Sequence, residues 1–262
     1  MRDYGRFARV GARGICLTLL ALMTTPAFAR HFKVYGAETL AAGETELVYW
    51  ADYVGRSDNS MSYFGATVGR EGLWAHTVEV EYGATDRLTL SGYLDAEQPR
   101  GEKFKYIQSR VGGRYRLGGE GRDDFAKTLY LEYYLPDPKY QGAQETMEAR
   151  LLFERQLDRS TLRINPKIEK KISGPDVNEG LEFEYAASLY RPLRADVDLG
   201  LEIYGAIGEL VNTKPLDQQE HYLVPALNIK LRDGLSWNIG VAVGLTQASD
   251  DMVVKSILEW EL

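Results

Sequence analysis

The chain has 262 residues, a hydrophobic fraction of 44% and a formal net charge of -7 at pH 7. This length allows one large domain or two small ones. The acidic balance argues against a nucleic-acid partner and against a peripheral protein that basic charge holds on anionic lipid. The moderate hydrophobic fraction does not exclude a membrane barrel, because barrel strands alternate lipid-facing and lumen-facing residues.

Residues 1–29 are typical of a secretory signal peptide. Four arginines surround the start of an apolar run at residues 15–23, and Ala27-Phe28-Ala29 matches a small-x-small cleavage site. The apolar run is too short for a single transmembrane helix. We therefore expect an exported protein. Cleavage would remove the only cysteine, Cys16, and would make the mature chain more acidic.

From residue 44 onward, one pattern fills the chain. Stretches of about ten residues alternate apolar and polar side chains, and turn signals separate them. Leu235, Trp237 and Ile239, for example, alternate with Asn238 and Gly240. A helical period of comparable length does not occur. The pattern predicts about twelve strands, at residues 44–54, 72–84, 86–97, 103–117, 126–135, 145–157, 160–172, 179–191, 194–207, 219–231, 234–247 and 251–262.

The links between the predicted strands alternate in length. Short links alternate with longer ones, although residues 118–125 form a long link where a short one is expected and residues 248–250 a short one where a long one is expected. Such alternation is typical of short periplasmic turns and long external loops in an outer-membrane barrel. The long link at residues 55–71 either folds inward as a constriction loop or stays outside, and the sequence leaves both possibilities open.

The alternation alone fits a soluble sandwich or a membrane barrel. Three features favour the barrel: strands longer than the about five to six residues of sandwich strands, charged polar faces, and aromatic residues near strand ends. We therefore predict an all-β fold, a closed antiparallel up-and-down transmembrane barrel over residues 44–262. Residues 30–43 are expected to form a periplasmic N-terminal segment. A soluble periplasmic sandwich is the remaining alternative.

The predicted lumen carries charges of both signs. Basic residues on neighbouring strands predict a ladder, and acidic residues on later strands predict a facing wall. Such an arrangement would orient polar or zwitterionic solutes in an open lumen. Alternatively, the charges pair and plug the lumen. These candidate lumen residues are Arg110, Arg114, Arg116, Arg150, Arg163, Lys167, Lys171, Glu182, Glu184, Glu202, Glu259 and Glu261.

Three segments carry a resemblance to a known family. An early Glu-Thr-Leu precedes the first predicted strand at residues 38–50, an EYGATDRL hairpin occupies residues 81–88, and residues 235–251 read LSWNIGVAVGLTQASDD. On these segments the chain resembles the medium-sized outer-membrane barrels of aromatic-degradation gene clusters, which are described as channel or transporter proteins. The resemblance would cover nearly all of the mature chain. It implies passage or binding of a small solute and supplies no catalytic residue.

The sequence gives little support for catalysis, for a metal or for a cofactor. The mature chain would contain no cysteine, its three histidines are not at ligand spacing, and Gly-x-Ser-x-Gly is absent. His31 is expected outside the barrel, whereas His76 and His221 are expected on the lipid-facing side near a rim. A lipid-modifying enzyme that uses His76 or His221 is therefore the less favoured alternative, and we expect no catalytic, metal or cofactor site.

We expect an outer-membrane channel or binding barrel for a small polar solute. The alternative from another class is a plugged structural or assembly barrel without transport. The expected partners are outer-membrane lipid, an unidentified solute and the barrel-assembly machinery. Residues 252–262 resemble the terminal signal that this machinery reads, although Leu262 replaces the usual Phe or Trp.

Overall fold

Twelve long antiparallel strands form a closed barrel in the computed structural model, which describes residues 32–119, 121–122, 124–141 and 144–262. The predicted signal peptide lies outside these residues. The first long strand pairs with the last, which closes the sheet. The strands are β1 (Thr45–Arg56), β2 (Ser60–Tyr63), β3 (Ala66–Gly69), β4 (Trp74–Thr85), β5 (Leu88–Gln98), β6 (Lys105–Gly118), β7 (Ala126–Pro136), β8 (Thr146–Leu157), β9 (Ser160–Lys171), β10 (Glu182–Arg194), β11 (Val197–Glu209), β12 (Glu220–Arg232), β13 (Leu235–Gly244) and β14 (Met252–Glu261).

The predicted barrel is confirmed, and each predicted strand overlaps one observed strand with ends that agree within three residues. The physical basis is the period of two. In β5, the polar Thr89 and Asp95 are fully buried in the interior, whereas Leu90 and Leu94 are exposed on the outside. Because successive side chains of a strand point to opposite faces, this pattern specifies the register of every strand pair.

The two ends of the barrel differ. We call the end with the connections at residues 86–87, 119–125, 158–159, 195–196 and 233–234 the turn end, and the opposite end the loop end. Asp158 and Gly234 adopt the positive φ angles that such tight turns require. The loop end carries the β2–β3 hairpin, a short helix α1 (Pro138–Gln141) and a 3-10 turn at Leu216–Gln218. None of the helices described is long and apolar enough to cross a membrane.

An apolar belt surrounds the outside of the barrel. Its side chains are exposed although they are large and apolar, for example Leu94 at 59%, Val111 at 51% and Leu201 at 48%. Such an extended apolar surface marks an interaction with lipid or a partner. The inner face carries the buried charged side chains, together with some apolar and aromatic ones, so the mainly apolar side of this sheet points outward, as in membrane-spanning barrels.

Substitution of Leu201 by Arg is expected to destabilise the barrel by about 2–4 kcal/mol, because it places a charge on the lipid-facing side near the middle of β11. Leu216→Arg is the matched control, since Leu216 is 67% exposed in a loop. Urea unfolding in lipid vesicles measures both. Equal effects of the two substitutions would contradict a lipid-facing belt.

Candidate functional site

The N-terminal segment of the described chain lies inside the barrel. We call residues 32–42 the plug. At the turn end, Gly43 N–H donates to the Gly83 carbonyl, and Leu40 N–H donates to Thr89 Oγ1. The segment then rises along the lumen to Phe32, which is 2% exposed. The plug therefore enters from the turn end and reaches beyond the middle of the barrel.

Deep in the lumen, Phe32 is held by aromatic rings and by a backbone contact. Its ring packs edge-on against Tyr204 and Tyr222, with centroids 5.1 and 5.0 Å away. Its backbone lies beside the Asp52 carboxylate. Edge-to-face pairs of this kind are favoured by the ring quadrupole. Small wall residues beside these rings, Ala186 and Ala242, leave the space that Phe32 occupies.

Lys33 places an ammonium group among acidic and aromatic side chains of the wall. Its Nζ lies 3.3 Å from Glu79 Oε2, 3.1 Å from Glu259 Oε1 and 5.2 Å from the centre of the Trp50 ring. Burial alone would lower the pKa of Lys33, but the two carboxylates hold its pKa well above the ordinary value. The plug therefore carries a permanent positive charge into an acidic part of the lumen.

The backbone of the plug is fixed by side chains of the opposite wall. Asn165 accepts a hydrogen bond from Tyr35 N–H at 2.8 Å and donates to the Tyr35 carbonyl at 3.1 Å. Thr128 Oγ1 donates to the Ala37 carbonyl at 2.6 Å. These contacts satisfy backbone groups that have no strand partner, and unpaired buried backbone groups are costly.

The position of this segment differs from the expectation for residues 30–43, which placed them in the periplasm. Residues 32–37 lie within the lumen instead. The physical reason is that Phe32, Val34 and Tyr35 find apolar and aromatic partners on the inner wall, and burial there is favourable. The segment is short and has no alternating pattern, so the sequence gives no indication of this position.

The wall of the lumen is lined with paired charges. Arg110 bridges Asp95 at 2.8 Å and Glu132 at 2.6 Å, and all three side chains are at most 4% exposed. Its guanidinium also lies 4.1 Å from the centre of the Tyr93 ring. Buried charges of this kind are tolerated when they are paired and hydrogen-bonded, as they are here.

The twelve candidate lumen residues all occupy inward-facing positions, and most of them contact a charge of opposite sign. Arg116 and Glu261 lie near the turn end. Each of the other ten residues forms an ion pair. In most pairs the two residues lie on the same strand or on adjacent strands, and they do not face each other across the lumen. These pairs are Arg114–Glu81, Arg150–Glu148, Arg163–Glu154, Lys167–Glu184, Lys171–Glu182, Lys255–Glu202 and Lys33–Glu259.

The sequence left two arrangements open, a basic ladder that faces an acidic wall and charges that pair with each other. The structure has features of both. The basic residues on β6, β8 and β9 do face the same lumen as the later acidic residues, yet Lys167 also pairs with Glu148 at 3.2 Å. Sequence reasoning did not bring Lys33, Glu79 and Trp50 together in one site. Their separation in the chain gives no local signal, because Lys33 and Glu79 are 46 residues apart.

A hairpin closes the loop end. The link at residues 55–71, whose position the sequence left open, folds over the lumen as β2 and β3. Tyr63 is 2% exposed and donates to the Glu97 and Lys103 carbonyls. Arg70 forms a bidentate contact with Asp250, with the shortest distance 2.7 Å. Bidentate pairs fix geometry as well as charge, so this cap is firmly attached to the opposite loop.

A cavity of about 540 Å³ lies at the turn end, beside β11 to β14. Its lining is dominated by acidic side chains. Asp198, Asn228 and Ser236 lie on its wall, and Lys230 and Arg232 are its basic members. The acidic members are Glu46, Asp196, Asp198, Asp233, Glu259 and Glu261. Because Glu259 also holds Lys33, this cavity extends to the plug.

The two described histidines face outward near the loop end. His76 accepts or donates a hydrogen bond at 2.8 Å with Tyr49 and stacks on Trp74. His221 bonds to Tyr185 at 2.9 Å and to Gln219 at 2.9 Å. Within the described residues, neither ring bonds to a serine hydroxyl or a carboxylate. These positions are therefore those of aromatic rim residues.

The comparisons with known proteins concern the fold. Neither a protein-family model nor a curated protein matches the sequence. The structure is similar to the COG4313 outer membrane channel from Pseudomonas putida F1, with a TM-score of 0.59 and 11% identity over 88% of this chain and 100% of that one. It is also similar to the KdgM porin, with a TM-score of 0.57 and 8% identity over 83% and 99%.

The shared feature is the barrel. At these identities the likeness establishes the fold alone, a closed barrel of the kind that forms outer-membrane channels. The expected resemblance to such barrels is confirmed at this level. The narrower link to aromatic-degradation clusters stays a prediction.

Removal of the Arg110 charge is expected to destabilise the barrel by about 3–5 kcal/mol, because Arg110→Ala leaves Asp95 and Glu132 buried without their partner. The control is Arg100→Ala, whose pair with Glu71 is exposed and is worth about 0–1 kcal/mol. Urea unfolding in lipid vesicles distinguishes the two. Similar losses for both variants would show that the lumen network contributes little.

Proposed function

We propose that this protein is an outer-membrane channel for small polar solutes and that the structure is its closed state. The observation that carries the proposal is that the lumen is filled by a segment that does not belong to the wall. The barrel closes through β1 and β14, which follow the plug in the chain. The plug can therefore leave the lumen while the hydrogen bonds of the sheet remain intact.

Two further features support this function. The structurally similar proteins named above are a channel and a porin. The lumen wall carries many charged side chains beside its apolar and aromatic patches, so water and polar solutes can occupy it once the plug is withdrawn.

Location and partners follow from the same proposal. The signal peptide directs export, the barrel-assembly machinery inserts the barrel, and the apolar belt contacts outer-membrane lipid. Lipid covers the outward aromatic residues at the rim, where their rings suit the interface. The lumen residues Arg110, Lys167, Glu202 and Glu259 set the selectivity of the opened path.

Deletion of residues 30–38 is expected to increase single-channel conductance in planar bilayers, because it removes the part of the plug that occupies the lumen and leaves its anchor at the turn end. The mature wild-type protein is expected to show small or rare openings. Heat-modifiable migration on a gel verifies that both proteins are folded barrels. If both are folded and neither conducts, the protein is a plugged structural barrel.

The enzyme alternative is tested separately. His76→Ala and His221→Ala are expected to leave conductance unchanged, since both rings lie outside the lumen. Phospholipid hydrolysis in mixed micelles is the second measurement. Hydrolysis by the wild type that either substitution abolishes, in a folded barrel, would favour a lipid-modifying enzyme.

A further inference from the structure

The groups that hold Lys33 form a receptor for an ammonium ion. Glu79 and Glu259 approach its Nζ from two strands, and the Trp50 ring lies on a third side. All three groups belong to the wall, on β1, β4 and β14, and only Lys33 belongs to the plug. Two carboxylates with an aromatic ring are a recurrent way to recognise an organic cation.

Two buried carboxylate oxygens in and beside this receptor have no hydrogen-bond donor in the described part of the chain. Oε1 of Glu79 is buried and has no hydrogen-bond partner in the described part of the chain, and the same is true of Oε1 of the neighbouring Glu81. Glu79 is fully buried and Glu81 is 1% exposed. Buried carboxylate oxygens without donors are costly, so these acidic groups favour a cation that stays in the site when Lys33 leaves it.

The site is accessible from one side. Glu259 is 31% exposed and lines the cavity at the turn end, which has a predominantly acidic wall. A concave surface of one sign of charge concentrates ions of the opposite sign. A small organic cation in this cavity therefore reaches Glu259 without first displacing any strand.

We propose that the wall site of Glu79, Glu259 and Trp50 binds primary ammonium solutes, and that Lys33 is an internal competitor for this site. A solute with an aliphatic ammonium group replaces the Lys33 side chain, and the plug, which loses the two ion pairs that Lys33 makes, leaves the lumen. The binding half of this proposal stands on the geometry alone. The opening half rests on the proposed channel function.

The alternative is that Lys33 is a purely structural anchor of the plug. In that case the three wall groups stabilise the closed state but bind no external amine once the plug is absent. The two possibilities differ in what the emptied site does, so the decisive measurement is binding to a variant that lacks the lysine ammonium.

The binding experiment uses n-butylammonium, which matches the four-carbon chain and the ammonium group of lysine. Isothermal titration calorimetry of the folded barrel in detergent is expected to show binding to Lys33→Ala. Binding to the wild type is expected to be at least about tenfold weaker, because the ligand must first displace the plug. n-Butanol, which lacks the charge, is expected not to bind.

Two matched variants identify the site. Lys103→Ala removes an exposed lysine and is expected to behave like the wild type. Glu79→Gln combined with Lys33→Ala is expected to lose binding, since it removes the buried charge that recognises the cation. If Lys33→Ala does not fold, the variant without residues 30–38 presents the same emptied site. Equal n-butylammonium binding by the wild type and the emptied variants, or none by either, would overturn the proposal.

Conductance separates this inference from the proposed function. In planar bilayers, n-butylammonium on the turn-end side is expected to increase wild-type openings saturably and to have no effect on Lys33→Ala. A conducting wild type that n-butylammonium leaves unchanged overturns the opening half, whereas the channel function stands. Binding to Lys33→Ala in barrels that never conduct overturns the channel function and leaves the receptor in place.

Discussion

Closure of the sheet is the constraint on which the rest of the structure depends. In lipid, backbone N–H and C=O groups have no water to bond, so every strand needs a partner on both sides. The pairing of β1 with β14 meets this requirement. Once the sheet is closed, its period of two directs every second side chain into the lumen. With an apolar face outside, the polar residues have only the interior, and there their charges must be paired. The ion pairs around Arg110 and Lys167 are the consequence.

The plug is subject to the same requirement that buried polar groups have partners. A barrel of this size has more interior space than its wall side chains fill, and the N-terminal segment supplies the remainder. It brings one ammonium group, two aromatic rings and a row of backbone groups, and the wall offers a matching partner for each. Lys33 meets Glu79 and Glu259, Phe32 meets Tyr204 and Tyr222, and Tyr35 meets Asn165. Because these contacts join a terminal segment to many strands, they can separate together without opening the sheet.

The sequence predicts the parts of this structure that depend on local periodicity. Alternation predicts the twelve strands, their ends and the inward positions of Arg110, Lys167 and Glu202. Successive residues of a strand point to opposite faces, so the position of a residue in the strand determines its face. The ion-pair partners are harder to predict from the sequence, since they depend on the order and register of neighbouring strands. The plug and the β2–β3 cap could not be predicted. Their stability comes from contacts such as Arg70 with Asp250, which lie 180 residues apart and leave no periodic signal.

The place of the plug at the start of the chain has a consequence for biogenesis. Lys33 contacts Glu259, which lies on the strand that closes the barrel, so this contact exists only after the last strand has been made and exported. The plug precedes every described strand, and its partner Glu259 lies on the last one. Until then its lysine and aromatic rings are available to the early strands, where Glu79 and Trp50 lie. The plug therefore has partners on early strands and on the last strand, so its complete set of contacts forms only when the barrel closes.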